Sequence, residues 1–182
     1  MWLINLVENL LSVTRIENGT MNLNLQAELL DDVISEALRH INRKSINHNI
    51  VVEEEDEFLM AKMDAKLMMQ VIINLVDNAI KYTDEGSKIQ ITTKKRKHRI
   101  IIEVADNGNG IEDEQKEKLF DMFYTVNNTI ADGRRGMGLG LALCKSIVNA
   151  HGGHISVYDN KPSGTVFRFT LEAEEVIVKE QT

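Results

Sequence analysis

The chain has 182 residues, 43% of them hydrophobic and 27% charged, which suits one soluble globular domain with a sizeable core. Its 28 Asp and Glu outnumber 21 Lys and Arg, and the formal charge of −7 argues against a dedicated nucleic-acid binder. The single cysteine, Cys144, rules out an internal disulfide and fits a reducing compartment; no apolar run approaches the roughly 20 residues that span a bilayer, and no stretch reads as a signal peptide.

In chain order, the spacing predicts an amphipathic helix from Met1 to about Glu17, with Leu3, Leu6, Val7, Leu10, Leu11 and Val13 on one face, stopped by Asn18-Gly19. A helix of that length is marginal alone, so its stripe needs a partner: its own domain, or the rest of a longer helical hairpin. Met21 to Leu25 alternates as a strand, and Leu29 to about Lys44 has helical spacing. Asn49 to Glu53 and Phe58 to Met63 read as short strands joined by the acidic, solvated run Glu54-Glu55-Asp56-Glu57. Asp64 is a good N-cap for a long helix to about Tyr82. Ser87 to Thr93 and Arg99 to Ala105 form a hairpin around a solvated tip at Lys94 to His98. Glu112 to Phe123 is expected as a helix, Tyr124 to Arg135 as a polar loop, and Leu139 to Ala150 as a helix ended by Gly152-Gly153. His154 to Asp159 and Thr165 to Leu171 finish as strands around a turn at Lys161-Pro162-Ser163-Gly164. Helices and hairpins mix in the order of an α+β class, an antiparallel-leaning sheet with helices on one face.

Three segments carry polar groups where packing alone does not ask for them. On the long helix, Asn74, Asn78 and Lys81 fall within roughly 60° of one another, opposite the apolar side. Asparagine is a poor helix-interior residue, so the stripe is either a solvated face or a place where an amide oxygen meets Mg and an ammonium meets phosphate. Asp106-Asn107-Gly108-Asn109-Gly110 follows a strand, as a tight turn or as an aspartate under an adenine amino group with glycines admitting the base. Gly136-Met137-Gly138-Leu139-Gly140 opens a helix, where free N–H groups cradle phosphate; it is neither a Walker A loop nor a dinucleotide fingerprint. The preceding Asp132, Gly133, Arg134 and Arg135 read as a closing loop, its arginines neutralising phosphate or merely solvated.

In this order the segments resemble the catalytic domain of sensor histidine kinases, within the gyrase–chaperone–kinase–MutL ATPase superfamily. Asn74 to Tyr82 is similar to that family's N box, Asp106 to Ile111 to its first glycine box, Phe120 to Tyr124 to its F box, and Gly136 to Leu141 to its second glycine box. Gly164 to Leu171 is similar to the closing strand. The resemblance implies a two-layer α/β sandwich that binds ATP and Mg2+. It makes Asn78 the Mg ligand with Asn74 nearby, puts Lys81 on phosphate and Tyr82 at the nucleotide's border, and has Asp106 read adenine with help from Thr165. Gly108 and Gly110 would shape the pocket, while Gly136, Gly138, Leu139 and Gly140 line the phosphate side and Phe123 anchors the lid.

Further stretches (Val7 to Leu11 with Thr14 to Gly19, Lys62-Met63-Asp64 through the N box, and His151-Gly152-Gly153) are similar to the potassium-responsive members of that family. They imply that residues 1–18 end a dimerisation hairpin, 19–175 form the catalytic domain and 176–182 a tail. An acceptor histidine of that family precedes an acidic residue and, a few positions on, a proline. None of His40, His48, His98, His151 and His154 has that context, so each is expected to be a surface or packing residue. The partners implied are the dimerisation and phosphoacceptor domain of a parent kinase and, through it, a response regulator. The fragment would lie in the cytoplasm, its parent being a membrane-associated homodimer. ATPases of the superfamily carry a glutamate four residues before the Mg-binding asparagine; here that position is Asn74, which cannot take a proton.

Overall fold

The structure, a computed structural model, describes residues 2–41, 47–126 and 138–175. Its elements are α1 (Trp2–Glu17), β1 (Gln26–Leu29), α2 (Leu30–Ile41), β2 (Asn49–Glu54), β3 (Met60–Met63), α3 (Ala65–Lys81), β4 (Lys88–Arg96), β5 (Arg99–Asp106), α4 (Asp113–Lys116), α5 (Gly140–Ala150), β6 (Ile155–Asp159) and β7 (Thr165–Glu172).

The period of two along the strands builds the sheet's buried face. Ile89, Ile91 and Thr93 of β4, Ile100, Ile102 and Val104 of β5, and Phe167, Phe169 and Leu171 of β7 are all buried. Against them lie α3 and α5, with α2 packed on α3, and α3 buries Met68, Val71, Ile72, Leu75, Val76 and Ala79. The strand order is β2-β4-β5-β7-β6, while β1 and β3 pair antiparallel as a separate two-stranded sheet. Three pairs in the main sheet are antiparallel, but β2 runs parallel to β4, because the chain crosses over through β3 and α3 before returning. The α+β two-layer class expected from the element order is the class observed.

Several local expectations are corrected. Met21 to Leu25 forms no strand; pairing begins at Gln26, where β1 meets Met63 of β3. Phe58 has φ 55, which no strand residue adopts, so β3 starts only at Met60. Lys94, Lys95 and Arg96 belong to β4 rather than to a loop, and the turn is Lys97-His98 alone, with Lys97 at φ 58. The cross-sheet pairs explain the extension: Lys94 sits 3.7 Å from Glu103, and Arg96 lies 2.9 Å from Glu55. The helix expected over Glu112 to Phe123 shrinks to four residues, α4. Lys116 ties it down through Asp113 and Asp159 at 2.7 Å, and the chain then turns so that Leu119 is buried and the Phe120 ring meets Phe167 edge-on at 6.3 Å. Phe123 at φ 65 excludes a continuing helix. The predicted helix end near Lys44 lies outside the described residues; α2 is followed to Ile41.

α1 finds a partner within its own chain. Its C-terminal half packs on α5, with Val13 buried and Asn9 accepting from Gln70 Nε2 of α3 at 3.3 Å. Ile4, Val7 and Leu11 remain exposed. Burying Val13 contributes roughly 1.5–3 kcal/mol. Gly19, at φ 65, stops it through Gly19 N–H to the Ile16 carbonyl at 3.1 Å and Thr20 N–H to the Arg15 carbonyl at 3.0 Å.

Candidate functional site

A cleft of about 330 Å³ opens where the C-terminal half of α3, the ends of β5 and β7 and the start of α5 converge. Asn78, Asp106 and Gly138, far apart in sequence, all line it.

The α3 wall follows from helical spacing. Asp64 caps the helix, its Oδ1 accepting from Leu67 N–H at 3.3 Å, and the buried apolar side then fixes which residues turn outward. Asn74, Asn78 and Lys81 line the cleft with Asp77, which shares their stripe at i+3 from Asn74. Asp77 was legible from that spacing and was missed because only the amides looked out of place. Tyr82 ends the helix, about half exposed, with the Lys81 ammonium 5.5 Å from its ring centroid.

The aspartate wall follows from strand alternation. After Ile100, Ile102 and Val104, the next residue on the buried register is Asp106; opposite it, Thr165 begins the series that continues through Phe167. Both are buried, at 7% and 4% exposure. Asp106 Oδ1 accepts from Gly108 N–H at 2.9 Å and from Thr165 N–H at 3.3 Å, while Oδ2 takes no hydrogen bond from the described residues. Burial pushes the carboxyl above its ordinary range, only partly offset by those two donors. Its backbone is held too: the Asp106 carbonyl accepts from Asn160 Nδ2 at 2.7 Å.

The third wall is the start of α5. Leu139 is the N-cap and offers no side-chain acceptor, so the first-turn amides have no cap from it. Gly138 at φ 71 presses against the Tyr124 backbone, where a Cβ would overlap the carbonyl oxygen, and its own carbonyl accepts from Phe123 N–H at 3.1 Å. Only glycine serves at that crossing.

Of the residues picked out from sequence, Asn74, Asn78, Lys81, Tyr82, Asp106, Gly110, Gly138, Gly140 and Thr165 line the cleft. Gly108 sits behind Asp106, within its turn, and Leu139 is buried behind the wall. The Phe123 ring is 58% exposed and does not line the cleft; its backbone alone connects to Gly138. Arg134, Arg135 and Gly136 lie outside the described residues, as do residues 176–182. Ile111, Leu119, Tyr124, Val126, Leu141 and Phe167 complete the apolar lining, a grouping that shows only once the strand register is known.

Two features make the cleft fit a nucleotide with a divalent cation. Its charged lining among the described residues is Asp77, Asp106 and Lys81, which by itself gives a triphosphate no net attraction. Asn74 Nδ2 is buried without a hydrogen-bond partner among the described residues, an unmet donor in the wall. Cys144, wholly buried behind it, has its thiol pushed up to about 12 by burial, with a small opposing contribution from the Asn74 amide. Sulfur is a weak acceptor, so that contact does not satisfy the amide.

The sequence profile of the histidine kinase-, DNA gyrase B- and HSP90-like ATPase family matches residues 63–175. Sensor protein KdpD of Clostridium acetobutylicum is 42% identical over 95% of this chain, which spans only 19% of that protein's length. The catalytic domain of histidine kinase ThkA, solved nucleotide-free, superposes with a TM-score of 0.73 at 32% identity, over 82% of this chain and 95% of that one. A structure of ThkA in complex with the response regulator TrrA matches 94% of this chain and 49% of its own, at 29% identity and a TM-score of 0.73.

Proposed function

The chain belongs to the histidine kinase-, DNA gyrase B- and HSP90-like ATPase family, and on that premise we propose that its cleft holds Mg-ATP and presents the γ-phosphoryl group to a histidine on a dimerisation helix of a longer sensor kinase. The observation that carries this reading is the meeting of Asn78, Asp106 and Gly138 in one cleft. Asp106 Oδ2, unused by the protein, would accept from the adenine amino group, with Thr165 beside it and Gly108 and Gly110 shaping the base's approach. The Asn78 amide oxygen would ligate Mg2+ and the Asn74 amide would donate to a phosphate oxygen; Lys81 and the amides around Gly136, Gly138, Leu139 and Gly140 would take the rest of the triphosphate, and Tyr82 would border it. Bound there, the cation screens the phosphate charge. Arg134 and Arg135 would add to that screening, and the Phe123 segment would form the base of a lid.

Phosphoryl transfer asks a protein for positioning and charge neutralisation more than for covalent chemistry. With Asn74 in place of a general base, hydrolysis by water would be slow. Likeness to KdpD supports a potassium or osmotic signalling role, with a KdpE-like response regulator downstream and a membrane-associated homodimeric parent. Residues 1–18 would end its dimerisation hairpin, 19–175 would be the catalytic domain on the cytoplasmic side, and 176–182 a tail; no described helix is long and apolar enough to cross a membrane.

Mixing the chain with a separate acceptor-helix fragment and labelled ATP tests the reading: label is expected on that fragment's histidine and none on this chain. Absence of transfer despite tight Mg-ATP binding would identify a silent regulatory module instead. Asn78→Ala is expected to erase the Mg-dependent tightening of ATP while leaving the melting temperature unchanged; a retained Mg effect in titration would move the ligand elsewhere.

A further inference from the structure

His151, expected from sequence to be a surface or packing residue, connects the two helices that border the cleft. Its Nδ1 lies 2.7 Å from the Ile147 carbonyl oxygen of α5, and its Nε2 lies 3.0 Å from the backbone nitrogen of Asp64. A carbonyl only accepts and a backbone amide only donates, so the ring must carry its proton on Nδ1 and leave Nε2 bare. Asp64 is itself fully engaged. Its Oδ1 accepts from Leu67 N–H at 3.3 Å, its Oδ2 from Asn24 N–H at 3.1 Å and its carbonyl from Met68 N–H at 2.9 Å. The next residues close the helix and anchor the same corner to the sheet: Gly153 N–H donates to the Val148 carbonyl of α5 at 3.0 Å, the His154 carbonyl accepts from Thr170 N–H of β7 at 3.0 Å, and a Cβ on Gly153 would overlap the Thr170 carbonyl oxygen.

α3 and α5 run antiparallel and touch at three levels. At one end is the His151–Asp64 bond; in the middle the Cys144 thiol reaches the Val71 carbonyl at 3.8 Å; at the cleft, a Cβ on Gly140 would lie 3.9 Å from Asn74 Cγ. From His151 to Cys144 and from Asp64 to Val71 the helices climb the same number of residues, hence the same distance at about 1.5 Å each, so the levels share one register. The middle contact is a weak sulfur bond and the last is van der Waals packing. The imidazole bridge is the strongest and most directional of the three.

We propose that His151 is a positioning residue for the triphosphate half of the cleft: it sets the axial register of α3 against α5, and with it the spacing between the Asn74–Asn78 stripe and the Gly138–Gly140 turn. The purine half rests on β5 and β7 through Asp106 and Thr165, which a slip between the helices leaves in place. The proposal rests on the nucleotide reading of the cleft and adds an asymmetry to it: loss of the bridge costs phosphate contacts and spares the base.

The test titrates the whole chain with Mg-ATP and, separately, with adenosine. His151→Asn keeps a donor near Nδ1 and removes the acceptor for Asp64, whereas His151→Gln returns an amide oxygen near the place of Nε2. His151→Asn is expected to weaken Mg-ATP about tenfold, the equivalent of one hydrogen bond, with adenosine unchanged within about twofold. His151→Gln should recover most of the loss. Nitrogen-15 spectra of the wild-type ring should show Nδ1 protonated and Nε2 bare, and the Asp64 amide should exchange faster in His151→Asn. Equal losses for both ligands, no loss for either, or no recovery with Gln would overturn the positioning role. A ring protonated on Nε2 would overturn it as well, even if His151→Asn failed to fold. Wild-type chain that bound neither ligand would sink the nucleotide reading first, a result distinct from any of these.

Discussion

Replacing Asp106 with Asn is expected to weaken ATP binding by about tenfold to a hundredfold and to leave the unliganded domain as stable as before, or more so. The affinity loss is expected from the Oδ2 position: on the proposed reading a carboxylate oxygen there would accept from the adenine amino group, whereas the Asn amide would turn a donor toward a donor, and hydrogen bonds to charged groups are the stronger kind. Stability should not fall, because both protein donors, Gly108 N–H and Thr165 N–H, go to Oδ1, an acceptor that Asn retains. It should rise at neutral pH because burial raises the Asp106 carboxyl above its ordinary value of 3.8. A raised folded-state value means that ionisation costs more in the folded chain than in the unfolded one. The wild type therefore keeps its full stability below the ordinary carboxylate value and loses part of it as pH rises through the raised one. The variant has no such loss. Melting curves of the two proteins should converge in acid and separate toward neutrality, with the variant higher; a variant that melts lower at every pH would mean the carboxylate is structural.

Gly164→Ala is expected to destabilise the domain by on the order of 3 kcal/mol and to abolish ATP binding with it. Gly164 sits at φ 110, where a side chain is strained, and a Cβ there would overlap the Asp106 carbonyl oxygen and lie 2.9 Å from Asn107 Cα. That carbonyl also accepts from Asn160 Nδ2 at 2.7 Å, so relief by moving it breaks a second bond. Moving β7 instead carries off the Thr165 N–H that holds Asp106 Oδ1. Either way the aspartate loses its place. Thermal unfolding and nucleotide titration check this together, and an unchanged melting temperature would show that the turn, which carries a cis Lys161–Pro162 bond, can re-form around the methyl group.

Sequence alone determined what repeats at short range. The 3.6-residue period put Asn74, Asn78 and Lys81 on one stripe, and the turn residues Asp106 to Gly110 marked the end of a strand. The α+β class followed from the order of those elements. Their identity as walls of a cleft rested on resemblance, since no local pattern says that residues 78, 106 and 138 meet. Tertiary structure decided what depends on partners distant in the chain. Lys94 to Arg96 joined a strand because Glu55 and Glu103 lie across from them, and α4 stopped early because Phe120 had to reach Phe167. Val13 found its cover on α5, and His151 became a bridge because Asp64, distant in sequence, presents its N–H to the ring. Periodicity is a property of neighbours along the chain, whereas a hydrogen bond across the fold requires two elements already brought into register.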